Sequence, residues 1–153
     1  MNYFEFLEIP VSYYLDESQL LQVYLQKQSR LHPDANDHSS NQSGSALLNA
    51  AYKTLLDPLK RAEHFLQVKN VNVEEAFPDV VMKTFEWQES YSALTSLKGK
   101  KAFQENLKNQ MQVMLESLGK NEGNIEKFSK ILSQLRFVSS FLEKISDDVY
   151  SGD

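Results

Sequence analysis

Pro33 restricts the fold of this chain more than any other residue, because it stands between two stretches of helical periodicity and can belong to the interior of neither. Proline lacks an amide hydrogen and disfavours α geometry in the residue before it, so a helix arriving from upstream has to stop near Leu31. Upstream, Leu21, Tyr24, Leu25 and Leu31 recur at helical spacing and are expected to face inward. Downstream, a polar segment from Asn36 to Ser45 precedes a second stripe at Leu48, Ala51, Tyr52 and Leu55. Two amphipathic helices with a short connection fold back on one another. His32, Pro33 and Asp34 are thereby expected at the tip of a helical hairpin.

The ends of these helices carry their own signals. Asp16 is a good N-cap, Gln19 follows three residues later as in a capping box, and Leu15 and Leu20 suit a hydrophobic staple. Lys27 and Arg30 lie three residues apart and are expected to share an outward face beside the tip. The second arm, about Ser45 to Leu56, ends at Asp57-Pro58, where Asp57 can cap a further helix and Pro58 suits its first position. Leu59, Ala62 and Leu66 would form the buried side of that helix. Ahead of the hairpin, Tyr3, Phe4, Phe6, Leu7 and Ile9 form an aromatic lead-in that Pro10 breaks.

From Val68 to Phe77 the helical stripe disappears, and this stretch reads as a linker. Three longer patterns follow. The first runs from Pro78 to about Leu97 and stops near Gly99; the second covers about Lys101 to Leu118, before Gly119; the third covers about Asn124 to Val149. Phe103, Leu107, Met111, Met114 and Leu118 on the second, with Phe128, Leu132, Leu135, Val138 and Leu142 on the third, supply core stripes for a three-helix bundle. The expected fold class is all-α, with a hairpin unit over 1–67, a linker over 68–77 and a bundle over 78–150.

Two places do not close on this bundle. Projected at about 100° per residue, Val80, Thr84, Trp87, Tyr91 and Leu94 share the inner side of the first bundle helix. Val81, Met82 and Phe85 fall opposite, in company with Glu86 and Glu89. Phe137 similarly falls away from Leu132, Leu135 and Leu142. An apolar centre edged by carboxylates suits a protein-binding patch; the plainer reading is surface that covers a joint between the two units.

Composition narrows the chemistry. The chain has 153 residues, a net charge of −5 and no cysteine, so thiolate chemistry, disulfides and thiolate metal sites are excluded, and the acidic balance argues against nucleic acid as a partner. Neither a membrane-spanning run nor a signal-peptide pattern is found, and a cytoplasmic or already-processed organellar protein is expected. His32, Asp34, Asp37 and His38 cluster in one loop, as a metal hydrolase would require, yet their spacing matches no ligand pattern with a mechanical basis. No phosphate loop or nucleophile elbow is found, and no cofactor or resident metal is expected.

These residues together resemble a known family. A helical hairpin with His32-Pro33-Asp34 at its tip is similar to a J-domain, the module by which co-chaperones stimulate a DnaK-type ATPase. Leu15-Asp16, Asn49-x-Ala51-Tyr52 and Pro58-Leu59-x-Arg61-Ala62-Glu63, followed by a bundle containing Leu135-Arg136-Phe137, resemble in combination the HscB co-chaperones of iron-sulfur cluster assembly. The resemblance implies a non-enzymatic adaptor. His32, Pro33 and Asp34, helped by Lys27 and Arg30, would engage an HscA-type chaperone and promote its ATP hydrolysis. Val81, Met82, Phe85, Glu86 and Glu89, with Phe137 nearby, would bind the scaffold protein IscU. A J-protein with a different client is the alternative within the same class.

Overall fold

The computed structural model describes residues 1–31, 42–72 and 77–150. The tip residues His32, Pro33 and Asp34, and with them Asp37 and His38, lie outside the described residues. Every element among the described residues is helical, and the chain divides into two compact units, Met1–Val71 and Asn72–Asp153.

In the first unit the lead-in forms one turn, α1 (Tyr3–Phe6), capped by Asn2, whose side chain accepts the Glu5 amide at 3.2 Å. Phe4 and Leu7 are fully buried, so the turn is held by its apolar side chains. The next helix, α2 (Glu17–Leu31), starts where Asp16 accepts the Ser18 amide at 2.9 Å, with Leu20 buried behind the cap. Its inward stripe differs from the one the sequence suggests. Leu20 is buried and Tyr24, Lys27 and Leu31 are half-buried, whereas Leu21 and Leu25 are 43% and 52% exposed. The reason is angular: Leu21 and Leu25 lie roughly 100° and 140° around the helix from Leu20, too far to share its face. Lys27 consequently does not share an outward face with Arg30.

The second arm, α3 (Gln42–Leu56), buries Leu48, Ala51 and Leu55 as its periodicity suggests. Asp57 then accepts amides from Leu59 and Lys60 at 2.9 and 3.1 Å, and Pro58 opens α4 (Pro58–Val68). Val68 is therefore still helical and not the first linker residue. On α4, Ala62 and Leu66 are buried while Leu59 is only half-buried, and Arg61, His64 and Phe65 are buried as well.

The second unit is a three-helix bundle of α5 (Pro78–Ser92), α6 (Leu97–Lys120) and α7 (Ile125–Tyr150). Gly99 does not end α5. The helix stops at Ser92, and Ser96 accepts the Gly99 amide at 3.0 Å as the N-cap of α6, so the serine side chain starts a helix where the glycine suggested a stop. Gly119 likewise sits inside α6, buried, with Asn121 as the C-cap. Trp87 and Tyr91 of α5, Leu107 of α6, and Val138, Phe141 and Ile145 of α7 form the core. Gln104, buried on α6, donates to the Ile145 carbonyl at 2.7 Å, and Tyr91 donates to Asp148 at 3.1 Å. The Lys130–Asp79 ion pair ties α7 to the first turn of α5 and holds the Asp79 carboxyl below its usual range through that hydrogen bond.

Candidate functional site

The two helices α2 and α3 are joined by a polar and aromatic clasp. Tyr24 donates to Asn49 Oδ1 at 2.7 Å and stacks on Tyr52 with ring centroids 4.4 Å apart. Asn49 and Tyr52, singled out from sequence, thus fix the register of α2 on α3. Of the two cations beside the tip, Arg30 is exposed. Lys27 is directed at the lead-in, 3.2 Å from Glu8 Oε2 and 5.6 Å above the Phe6 ring. Glu8 itself has φ of 57°, a left-handed conformation that costs a non-glycine residue roughly 1–2 kcal/mol.

Sequence reasoning missed the two buried polar groups of α4. Arg61 donates to the Leu55 carbonyl at 2.8 Å and lies 4.8 Å from the Tyr13 ring centroid, joining the end of α3 to the segment before α2. Burial pushes the Tyr13 hydroxyl pKa up, a rise that the nearby guanidinium only partly offsets. His64 accepts the Tyr3 amide through Nε2 at 3.0 Å, and its ring stacks on Tyr3 at 4.6 Å. Burial lowers the His64 pKa, and an accepting Nε2 requires the neutral ring. The signal for both was their spacing: Arg61 and His64 flank Ala62 and Phe65 on the inner side of α4.

In the second unit, Val80, Trp87 and Tyr91 of α5 are buried, and Val81, Met82 and Phe85 are 42%, 66% and 61% exposed beside exposed Glu86 and Glu89. The projection thus described both faces of this helix. A cation joins the outward cluster: Lys83 lies 3.5 Å from Glu86 and 5.6 Å over the Trp87 ring. Phe137 is not stranded. It is partly buried against the core, stacked between Trp87 at 6.1 Å and Phe141 at 5.7 Å. Helix α7 faces both α5 and α6, so its buried arc is wider than a single stripe and takes in Phe137.

Among the described residues no helix is long and apolar enough to cross a membrane, and no three His, Asp or Glu side chains are placed to hold a metal.

No protein-family model matches the chain. A Co-chaperone protein HscB homolog from Shewanella amazonensis is 34% identical over 62% of this chain and 61% of its own length. The chain thus matches only about three fifths of the length of the first curated relatives. The chaperone HscB from Vibrio cholerae is 26% identical and superposes with a TM-score of 0.73 over 96% of each chain. The human co-chaperone protein HscB shares the fold, with a TM-score of 0.82 over 97% of this chain and 82% of that one at 24% identity. In sequence over about three fifths of its length, and in fold over nearly all of it, this chain is similar to HscB co-chaperones.

Proposed function

We propose that the chain is a non-enzymatic adaptor of iron-sulfur cluster biogenesis, acting in the bacterial cytoplasm, that brings an HscA/DnaK-type ATPase to the scaffold IscU. The hairpin unit would engage the chaperone through His32, Pro33, Asp34 and the exposed Arg30, with Lys27 alongside. The bundle would hold the scaffold on Val81, Met82, Phe85, Glu86 and Glu89, with the accessible part of Phe137 at the margin. The single observation that carries this reading is the apolar cluster on α5, exposed and edged by carboxylates while the opposite face of the same helix is buried. Such a surface supplies contact area at its centre and orientation at its rim.

The chemistry belongs to the chaperone. An activator raises the rate by binding the hydrolysis-competent state better than the ground state, and an adaptor adds the client at high local concentration. The test is steady-state ATP hydrolysis by the cognate chaperone, with this protein and IscU added separately and together. Synergy is expected for the wild type. It should disappear in Met82→Ala/Phe85→Ala while stimulation by the protein alone persists, and Asp34→Asn should abolish stimulation but leave IscU binding intact. Failure of IscU to add anything to the wild type would point to a different client, and failure of the wild type to stimulate at all would sink the reading.

A further inference from the structure

The lead-in leaves α1 through Glu8, whose φ of 57° glycine adopts freely and a glutamate does not. Its carboxylate meets Lys27 at 3.2 Å, and the same ammonium lies 5.6 Å over Phe6. The Lys27 side chain is only 20% accessible, on the α2 side that carries Leu20, Tyr24 and Leu31, whereas Arg30 is exposed. A cation that meets a partner's carboxylates has to be presented outward; one that is half-buried and paired within its own chain covers apolar surface and neutralises a neighbour. We propose that Glu8 and Lys27 are a single positioning pair that fixes the lead-in on α2, and that of the two cations beside the tip only Arg30 gives its charge to the chaperone-docking face. The assignment of Arg30 rests on the chaperone reading above; the pairing of Glu8 with Lys27 stands on geometry alone.

The pair holds the left-handed turn in place. Phe4 and Leu7, buried on either side of Phe6, then keep α1 seated. Docking of an acidic partner surface would leave Lys27 where it is, because exchanging Glu8 for a partner carboxylate gains one ion pair by breaking another.

The experiment uses the full chain and the variants Glu8→Gln, Lys27→Met, the two combined, and Arg30→Gln. Thermal melting and affinity for the cognate ATP-bound chaperone at low and physiological salt are the readouts. Glu8→Gln and Lys27→Met should each lower the melting temperature by about 1 to 4 °C, and the double variant by no more than either alone. Lys27→Met should leave affinity and its salt dependence unchanged, whereas Arg30→Gln should weaken binding by about two- to five-fold at low salt and less at high salt. Strictly additive melting shifts, or a Lys27→Met loss of affinity matching that of Arg30→Gln, would overturn the proposal. If the wild type does not bind the chaperone, the chaperone reading falls together with the role of Arg30, and the melting cycle still decides whether Glu8 and Lys27 act as a pair.

Discussion

The Trp87 indole and the Phe137 ring lie parallel, their planes 3° apart and their centroids separated by 6.1 Å, so the α7 aromatic proposed at the margin of the scaffold surface is also packed against the bundle core. Met82 and Phe85, one turn away on α5, make no such contribution, being 66% and 61% exposed. The two kinds of residue should separate by stability. Phe137→Ala is expected to cost about 1.5–2.5 kcal/mol, roughly half the value for a fully buried phenylalanine. Met82→Ala and Phe85→Ala are expected to stay within about 0.5 kcal/mol. Urea unfolding monitored through Trp87, the single tryptophan of the chain, measures all three.

His64 should make the first unit sensitive to acid. Its folded-state pKa is lowered, chiefly by burial, so folding favours the neutral ring. The resulting stability is complete above the ordinary histidine value near 6.5 and is lost as pH falls below it toward the lower folded value. Protonation also turns the Nε2 acceptor of the Tyr3 amide into a second donor. Melting between pH 7.5 and 5 should show this loss, and His64→Phe should flatten that part of the curve. An NMR titration would report the His64 ring directly, separately from His32 and His38.

Arg61 should not be replaceable by lysine. Its planar head bonds the Leu55 carbonyl while stacking on Tyr13, a geometry that an ammonium cannot reproduce. Arg61→Lys is expected to cost about 1–2 kcal/mol and Arg61→Ala about 2–3 kcal/mol. Loss of the stack should also alter the Tyr13 ring signals in an NMR spectrum.

Asp57 closes α3 and opens α4 in a single residue, accepting the amides of Leu59 and Lys60. Asp57→Ala is expected to cost about 1 kcal/mol and Asp57→Ser much less, since serine keeps an accepting oxygen. Chemical denaturation of the three proteins side by side checks the order.

The elements legible in the sequence are those specified by local rules. Asp16, Asp57 and Pro58 mark helix starts because capping depends on residues two or three positions away, and all three behave accordingly. The two faces of α5 were legible because that helix buries only one side. Gly99 and Gly119 misled for the same local reason: a glycine permits a helix end without requiring one, and Ser96 and Asn121 supplied the caps.

By itself the sequence determined the all-α class, the order of the helices and the outward cluster of Val81, Met82 and Phe85, since each follows from periodicity. Only the tertiary structure decided which of several near-equivalent stripes faces inward. Leu20 is buried where Leu21 and Leu25 are exposed, Lys27 turns to Glu8, Phe137 stacks on Trp87, and Arg61 and His64 enter the core. A helix with apolar residues on two sides can rotate its buried arc toward either, and the choice is made by the side chains of neighbouring helices, which no local pattern contains.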